Sequence, residues 1–268
     1  MNRILFESEE VVDNRVTFGG VRAEHVLNVL HGTVGQVLKT GIVNGRLGTS
    51  TIESIEPLPL DPSTGLAQGR VTVRCTHATP ALAPWADLLL APPRPRAMKR
   101  LLPQLALMGV GRIVLVGAEK VEKAFWGAQL LKENIYRPLL LDGLMQAGTT
   151  ALPVIQVERS FRHYLEKGRF DADFAASTAR YVAHPTKEGT ASLPNRVDLP
   201  QCVATAPSPS HLQPPARTLI AVGPEGGWTD DEVARLEAKG FVRLSLGSRI
   251  LRTDTAAIAL LARLLPPE

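Results

Sequence analysis

Two rhythms of apolar and polar residues divide this chain. Up to about Thr76 the apolar stretches are short and alternate with polar positions, at 15–18, 36–39, 51–55 and 70–74, with glycines between them. A period of two with frequent turns predicts strands, and strands this short and closely spaced predict a small β-barrel. One helix is expected inside it at 23–30, with Val26, Val29 and Leu30 on one face. Asn44-Gly45 falls between two of the strands, where an Asn-Gly pair favours a hairpin turn.

Pro80 and Pro84 mark a boundary, because prolines favour extended connections. Beyond them the pattern changes to continuous apolar runs separated by helical stretches. A strand at 87–91 is followed by Met98, Leu101, Leu102, Leu105 and Met108 at helix spacing, then by a strand at 112–116. Strand, helix, strand is the signature of a parallel α/β sheet. Pro103 lies inside that helix, where a proline costs about 3 kcal/mol, so a kink is expected. The alternation continues with a helix at 127–146, a strand at 154–157, a helix near Phe161 and a strand at 181–183. Residues 185–215 hold seven prolines among 31 positions and read as a long loop, flexible or a lid. A strand at 218–222, a helix at 230–239, a strand at 242–246 and a helix at 254–265 complete the chain. Thr229 and Glu232 form a capping box for the first of these helices, and Trp228 with Val233 a hydrophobic staple. The expected division is a β-barrel domain at 1–80 and an α/β domain at 84–268.

With 44% hydrophobic and 21% charged residues, the 268 residues bury enough apolar surface to offset chain entropy. Acidic residues interrupt the N-terminus before a signal-peptide core, and no apolar run reaches membrane-spanning length, so a cytoplasmic protein with no membrane partner is expected. Cys75 and Cys202 read as ordinary reduced thiols, and no Cys/His cluster has zinc spacing, so no metal is expected. The net charge of +4 hints at a polyanionic partner. Its distribution says more: residues 1–80 hold seven Lys/Arg against eight Asp/Glu, whereas residues 94–140 hold nine against three. The run Arg94, Arg96, Lys99, Arg100 suits phosphate contacts, although a solvated helix face has the same composition. His25 and His31, beside the barrel helix, read as structural.

Two segments carry candidate chemistry. Val222-Gly223-Pro224-Glu225-Gly226-Gly227-Trp228 lies between a buried strand and a capped helix, where open α/β sheets bind ligands. Its glycines permit close backbone approach and positive φ, expected at Gly226, though a merely tight turn would look the same. Leu246-Gly247-Ser248-Arg249-Ile250-Leu251-Arg252-Thr253-Asp254-Thr255-Ala256 also joins a strand to a helix. It places two arginines and an acid where packing asks for no charge, unless they are a solvated pair or helix-end salt bridges. Loops at successive strand ends would lie side by side. Gly109-Val110-Gly111 lies after a helix and before a strand, the reverse of a dinucleotide fingerprint, and there is no Walker A or G-x-S-x-G motif.

These residues resemble the ribosomal RNA small subunit methyltransferase E family, uracil-N3 methyltransferases of the SPOUT superfamily. The resemblance rests on Gly223-Pro224-Glu225-Gly226-Gly227 with Glu232, on Leu246-Gly247 followed by 249–256, and on His184-Pro185. It implies a PUA-like barrel that binds RNA, then a SPOUT-type knotted parallel-sheet domain, and a homodimer. It also implies S-adenosylmethionine held by His184, by Gly223, Pro224, Glu225, Gly226 and Gly227, and by Leu246, Gly247, Ser248, Ile250, Leu251, Thr255 and Ala256. The implied substrate is N3 of a uridine in 16S ribosomal RNA or the small ribosomal subunit, with another RNA base, or a catalytically silent RNA-binding or assembly factor, as alternatives. Arg252 is then the candidate cation for the acceptor's carbonyl oxygens or an RNA phosphate, with Asp254 orienting it. Glu225 is either a base or a partner for N–H groups of its own turn. Four departures stand out. Leucine-rich 101–108 and Met145-Gln146-Ala147-Gly148-Thr149-Thr150 replace charged residues usual in the family. Asp254 stands where glutamate is commoner, and the loop before Thr218 is longer.

Overall fold

A computed structural model describes residues 2–59, 62, 63, 65, 67–184 and 217–266, and the loop expected at 185–215, with Cys202, lies outside them. The chain divides into two compact units, Met1–Leu82 with Leu144–Leu152, and Ala83–Gly143 with Pro153–Glu268.

The first unit is built on five strands: β1 (Ile4–Phe6), β2 (Arg15–Phe18), β3 (Val37–Ile42), β4 (Leu47–Leu58) and β5 (Gln68–Thr79). They pair in the order β1-β3-β4-β5-β2, antiparallel except for the parallel β1–β3 ladder. All three residues of β1 are buried, so it has no alternation by which a pattern reading finds it. Phe6, Val16, Phe18, Val26, Leu38, Ile52, Val71 and Val73 fill the core.

Helix α1 (Gly20–Glu24) runs into a π-helical turn at His25–Val29. The wider turn breaks the 3.6-residue rotation, so the expected apolar face does not carry through: Val26 is buried, whereas Val29 and Leu30 are 61% and 38% exposed. Between β3 and β4, Asn44 rather than Gly45 takes the left-handed position, at φ 56°. Its side-chain oxygen accepts from Leu152 N at 2.9 Å.

The departure at 145–150 has a structural use within this unit. Asn2 N donates to Met145 O (3.1 Å), Arg3 Nε to Gly148 O (3.1 Å), and the buried Thr150 hydroxyl to Gly45 O (2.6 Å).

A polar chain crosses the sheet interior: His77 Nε2 to Thr40 Oγ1 (2.8 Å), Thr40 to Ser50 Oγ (2.6 Å), and Ser50 to Cys75 Sγ (3.3 Å). Burial raises the Cys75 thiol above its ordinary range. Burial, and then the nearby Arg3 charge, holds the His77 imidazole below its usual 6.5. A depressed folded-state pKa means that the unfolded chain takes up the proton first. The stability from neutral His77 is therefore complete above about pH 6.5 and declines as pH falls below it. Melting followed as pH is lowered from about 7.5 to 5 should show an acid loss that His77→Gln reduces. Parallel curves for the two proteins would remove His77 as the cause.

The second unit is a six-stranded sheet of β6 (Ala86–Leu90), β7 (Val110–Val116), β8 (Val154–Glu158), β9 (Ser177–Ala183), β10 (Arg217–Val222) and β11 (Val242–Leu244). The order is β11-β9-β10-β6-β7-β8 and every ladder is parallel. Such a sheet is covered on both faces, which explains the unbroken apolar runs: all five residues of β6 are buried, as are Thr218 to Val222 of β10. Asp87 within that run is balanced by Arg217 of the adjacent strand at 3.0 Å. Burial still pushes the Asp87 carboxyl upward, against the pull of Arg217.

On one face lie α4 (Phe161–Glu166), α5 (Phe170–Asp173) and α6 (Asp230–Ala238), whose Phe161, Tyr164, Phe170, Val233 and Leu236 join Leu89, Val114 and Leu219 in one core. Under this face Asp173, its side chain 3% exposed, collects Tyr164 Oη (2.9 Å), Gln156 Nε2 (3.0 Å), Arg169 Nη2 (3.3 Å) and Arg112 Nη1 (3.5 Å). Burial and the Asp173 carboxylate together raise the Tyr164 hydroxyl well above its usual range.

The remaining helices are α2 (Pro95–Leu107), α3 (Glu133–Ala147), preceded by short 3-10 turns, and α7 (Thr253–Leu264), which packs against α2 and β10. Met98, Leu101, Leu102 and Leu105 of α2 are buried, so the leucines of the departure at 101–108 serve packing. Pro103 lies inside a continuous α2. The carbonyl it leaves without an intrahelical donor belongs to Lys99, an exposed residue of α2. No helix of the described residues is long and apolar enough to cross a membrane.

Candidate functional site

Strand order, not chain order, assembles the site. β10 and β11 are separated by β9, so the two candidate loops do not follow neighbouring strands. The site is built at three adjoining strand ends, with His184 leaving β9 between the loops. His184 N donates to Leu244 O at 3.1 Å, which continues the ladder one residue past β9.

The first loop is shaped by its neighbours. At Gly223 an added Cβ would lie 3.0 Å from the Trp228 ring, so this position must stay small for the buried tryptophan to fold back under the loop. Gly227 N closes a turn onto Pro224 O at 2.8 Å, with Gly227 at φ +71°. Positive φ therefore falls on Gly227 and not on Gly226, whose added Cβ would meet the Lys120 side chain at 3.1 Å. Immediately after, the capping box forms as expected: Thr229 N donates to Glu232 Oε2 (2.9 Å) and Glu232 N to Thr229 Oγ1 (3.3 Å). The other oxygen of buried Glu232 accepts from Glu119 N at 2.8 Å.

The second loop turns at Gly247, φ +107°, where Ser245 Oγ accepts from Gly247 N at 3.2 Å. It is joined to the first loop by Thr253, the opening residue of α7, whose buried hydroxyl donates to Gly223 O at 3.0 Å.

Together the loops line a cleft of about 260 Å³. His184, Gly223, Pro224, Glu225, Gly226, Gly227, Leu246, Gly247, Ile250, Leu251 and Ala256 all lie on its wall, whereas Ser248 and Thr255 do not. Also on the wall are Ala183, Leu244 and Ser245, which lie outside both loop motifs, and Val222, Arg249 and Thr253, which lie within them but were not among the expected cofactor contacts. Most of these are strand-end residues, visible only once the strands are in register. Thr253 had a local signal, a hydroxyl at the first position of a helix.

The charged candidates pair differently from expectation. Asp254 does not hold Arg252. Its Oδ2 lies 3.5 Å from Arg100 Nη2, and its Oδ1 accepts from Thr255 N at 2.9 Å. Arg252 is the exposed N-cap residue of α7, off the cleft wall and without an ion pair among the described residues, while Arg249 is on the wall. Glu225 makes no bond to an N–H of its own turn among the described residues, and instead reaches Arg94 Nε at 3.4 Å. Arg94 at the N-cap of α2 and Arg100 within it thus lie against the acids of the two loops. These pairs are long, and both arginines are about two-thirds exposed, so each contributes little to stability. Arg96 and Lys99 are exposed nearby on the same helix.

Residues 81–265 match a family described as RNA methyltransferase domain. Over 266 residues, 97% of this chain and 88% of the relative, the sequence is 31% identical to ribosomal RNA small subunit methyltransferase E of Treponema pallidum (strain Nichols). The fold resembles that of ribosomal RNA small subunit methyltransferase E from Neisseria gonorrhoeae bound to S-adenosyl methionine, with TM-score 0.63, 21% identity, and 98% of this chain and 95% of that one covered. It also resembles a Legionella pneumophila protein solved with the cofactor SAM bound, with TM-score 0.69, 22% identity, and 98% and 96% covered.

Proposed function

Because the chain belongs to the ribosomal RNA small subunit methyltransferase E family, we propose that it methylates N3 of a uridine in 16S ribosomal RNA, using S-adenosylmethionine. The observation that carries this reading is the single cleft walled by both glycine-containing loops at the carboxyl ends of a parallel sheet.

The residues fit this cofactor. Leu244, Leu246, Leu251, Val222 and Ala256 offer an apolar wall for a purine, while the backbone groups of both loops offer polar partners. At Gly247 the space a Cβ would take has no atom within 4 Å. Bound S-adenosylmethionine would supply an electrophilic methyl group on a sulfonium sulfur. The protein's task is then alignment and the management of one proton. Uracil N3 must first give up its proton, to Glu225 or to water, and the resulting negative charge spreads to the flanking carbonyl oxygens, where a cation helps until the nitrogen takes up the methyl group. Arg252 and Arg249 are the two arginines beside the second loop for that role, and a guanidinium stays charged while offering a planar fork to oxygen. Glu225 and Asp254 hold Arg94 and Arg100 at the mouth, where, with Arg96 and Lys99, they meet RNA phosphates.

The same reading assigns the first unit to a PUA-like, RNA-binding barrel and the second to a SPOUT trefoil knot. The chain's path supports the latter: it leaves β10 for the edge strand β11, then returns as α7 beside β10. Ile250, apolar and 91% exposed at the cleft, supports a homodimer that covers it. A ribosomal substrate implies the cytoplasm.

Mass-spectrometric mapping of 16S ribosomal RNA from cells with and without this protein tests the function. Loss of one N3-methyluridine on deletion is the expected result. Loss of a methyl group on a different base would overturn the acceptor assignment, and an unchanged methylation map would overturn the enzyme.

A further inference from the structure

The segment after β7 touches both the glycine loop and the first turn of the helix that follows it. Glu119 N is held by Glu232, whose second carboxylate oxygen holds Thr229 N where α6 begins. One residue on, the aliphatic stem of Lys120 lies over Gly226, close enough that a Cβ there would meet its Cδ at 3.1 Å and its Cβ at 3.5 Å. The Lys120 ammonium donates to Gly226 O at 3.0 Å. Among the described residues it has no acidic partner.

That carbonyl belongs to the peptide between Gly226 and Gly227, whose N–H bonds Pro224 O at 2.8 Å. Both polar groups of one peptide plane are therefore fixed, one by the loop itself and one by Lys120. Two flanking glycines make this peptide the easiest in the loop to rotate, because no Cβ resists the change in φ and ψ. A charged donor on the carbonyl opposes that rotation more strongly than a neutral one would. Both residues also line the cleft.

We infer that Lys120 is a positioning residue for the methyl donor: it locks the Gly226–Gly227 peptide in the orientation that the cofactor loop presents to the cleft. This rests on the proposed methyltransferase reading of that cleft.

Lys120→Met keeps the stem over Gly226 and removes only the ammonium, and Lys120→Arg keeps a cation within reach. Two measurements on the full chain separate the possibilities. Amide hydrogen exchange without cofactor reads the lock itself, and calorimetry with S-adenosylmethionine reads its consequence. Lys120→Met should exchange faster at the Gly227 amide with an unchanged melting temperature. It should bind S-adenosylmethionine about 10-fold more weakly, with kcat at saturating cofactor nearly preserved, and Lys120→Arg should recover most of the affinity. Unchanged exchange overturns the lock whatever the cofactor does. Faster exchange with unchanged affinity overturns the positioning role, as does a lower melting temperature with unchanged affinity. If the unaltered protein binds no S-adenosylmethionine, the proposed function fails and the positioning role with it, while the exchange result still judges the lock.

Discussion

Gly247→Val loses S-adenosylmethionine binding by roughly 10- to 100-fold or more, while the protein stays folded. At φ +107° the backbone sits where L side chains rarely go, so a β-branched residue must strain this turn or move it, at about 1–3 kcal/mol. The new side chain has room to exist, since nothing lies within 4 Å of its Cβ, but that room belongs to the cleft. Overpacking of a fitted site costs about 1–3 kcal/mol, which is the stated loss in affinity. Gly240→Val is the matched control. Gly240 has φ +82° and equally open surroundings, yet it lies after α6 and off the cleft wall. Both variants should melt lower by similar amounts, and only Gly247→Val should fail in calorimetry. Equal cofactor affinity in the two would mean that Gly247 serves the turn and not the ligand.

Asp173→Ala should produce the largest loss of stability. One carboxylate, 3% exposed, serves two arginines, a tyrosine hydroxyl and a glutamine amide. Arg169 is largely exposed and loses little, but Arg112 is only 27% exposed and the Tyr164 ring is fully buried. Removing the partner of a buried charge costs about 3–5 kcal/mol, chiefly because the remaining charge and donors stay desolvated. For a unit of this size that corresponds to a fall in melting temperature of roughly 6–20 °C. Asp173→Asn retains an acceptor for Tyr164 and should fall between the two. A change of less than about 1 kcal/mol for Asp173→Ala would show that water reaches Arg112 and Tyr164 in the folded protein.

Local pattern was enough wherever one rhythm of burial runs through an element. The continuous apolar strands β6, β7 and β10, the apolar stripe of α2 and the capping box of α6 are all written in adjacent residues, because a parallel sheet covered on both faces demands unbroken apolar runs. The pattern failed where the rhythm is too short or changes within an element. β1 is three buried residues with no alternation, and the π turn after α1 shifts the register that Val29 and Leu30 were read by.

The sequence by itself determined the α/β class of the second unit, the two loops that wall the cleft, and a family resemblance that the 31% identical relative and the matching family support. Only the tertiary structure decided which residues those loops meet. Asp254 pairs with Arg100 and not Arg252, Glu225 with Arg94, Gly226 with Lys120, and β9 brings His184 between loops that chain order would have set side by side. Periodicity reports which face of an element is buried, and that face is written in residues only a few positions apart. Arg100 and Asp254 are 154 positions apart, and a contact of that span follows from the order in which strands pair, which no local rhythm encodes.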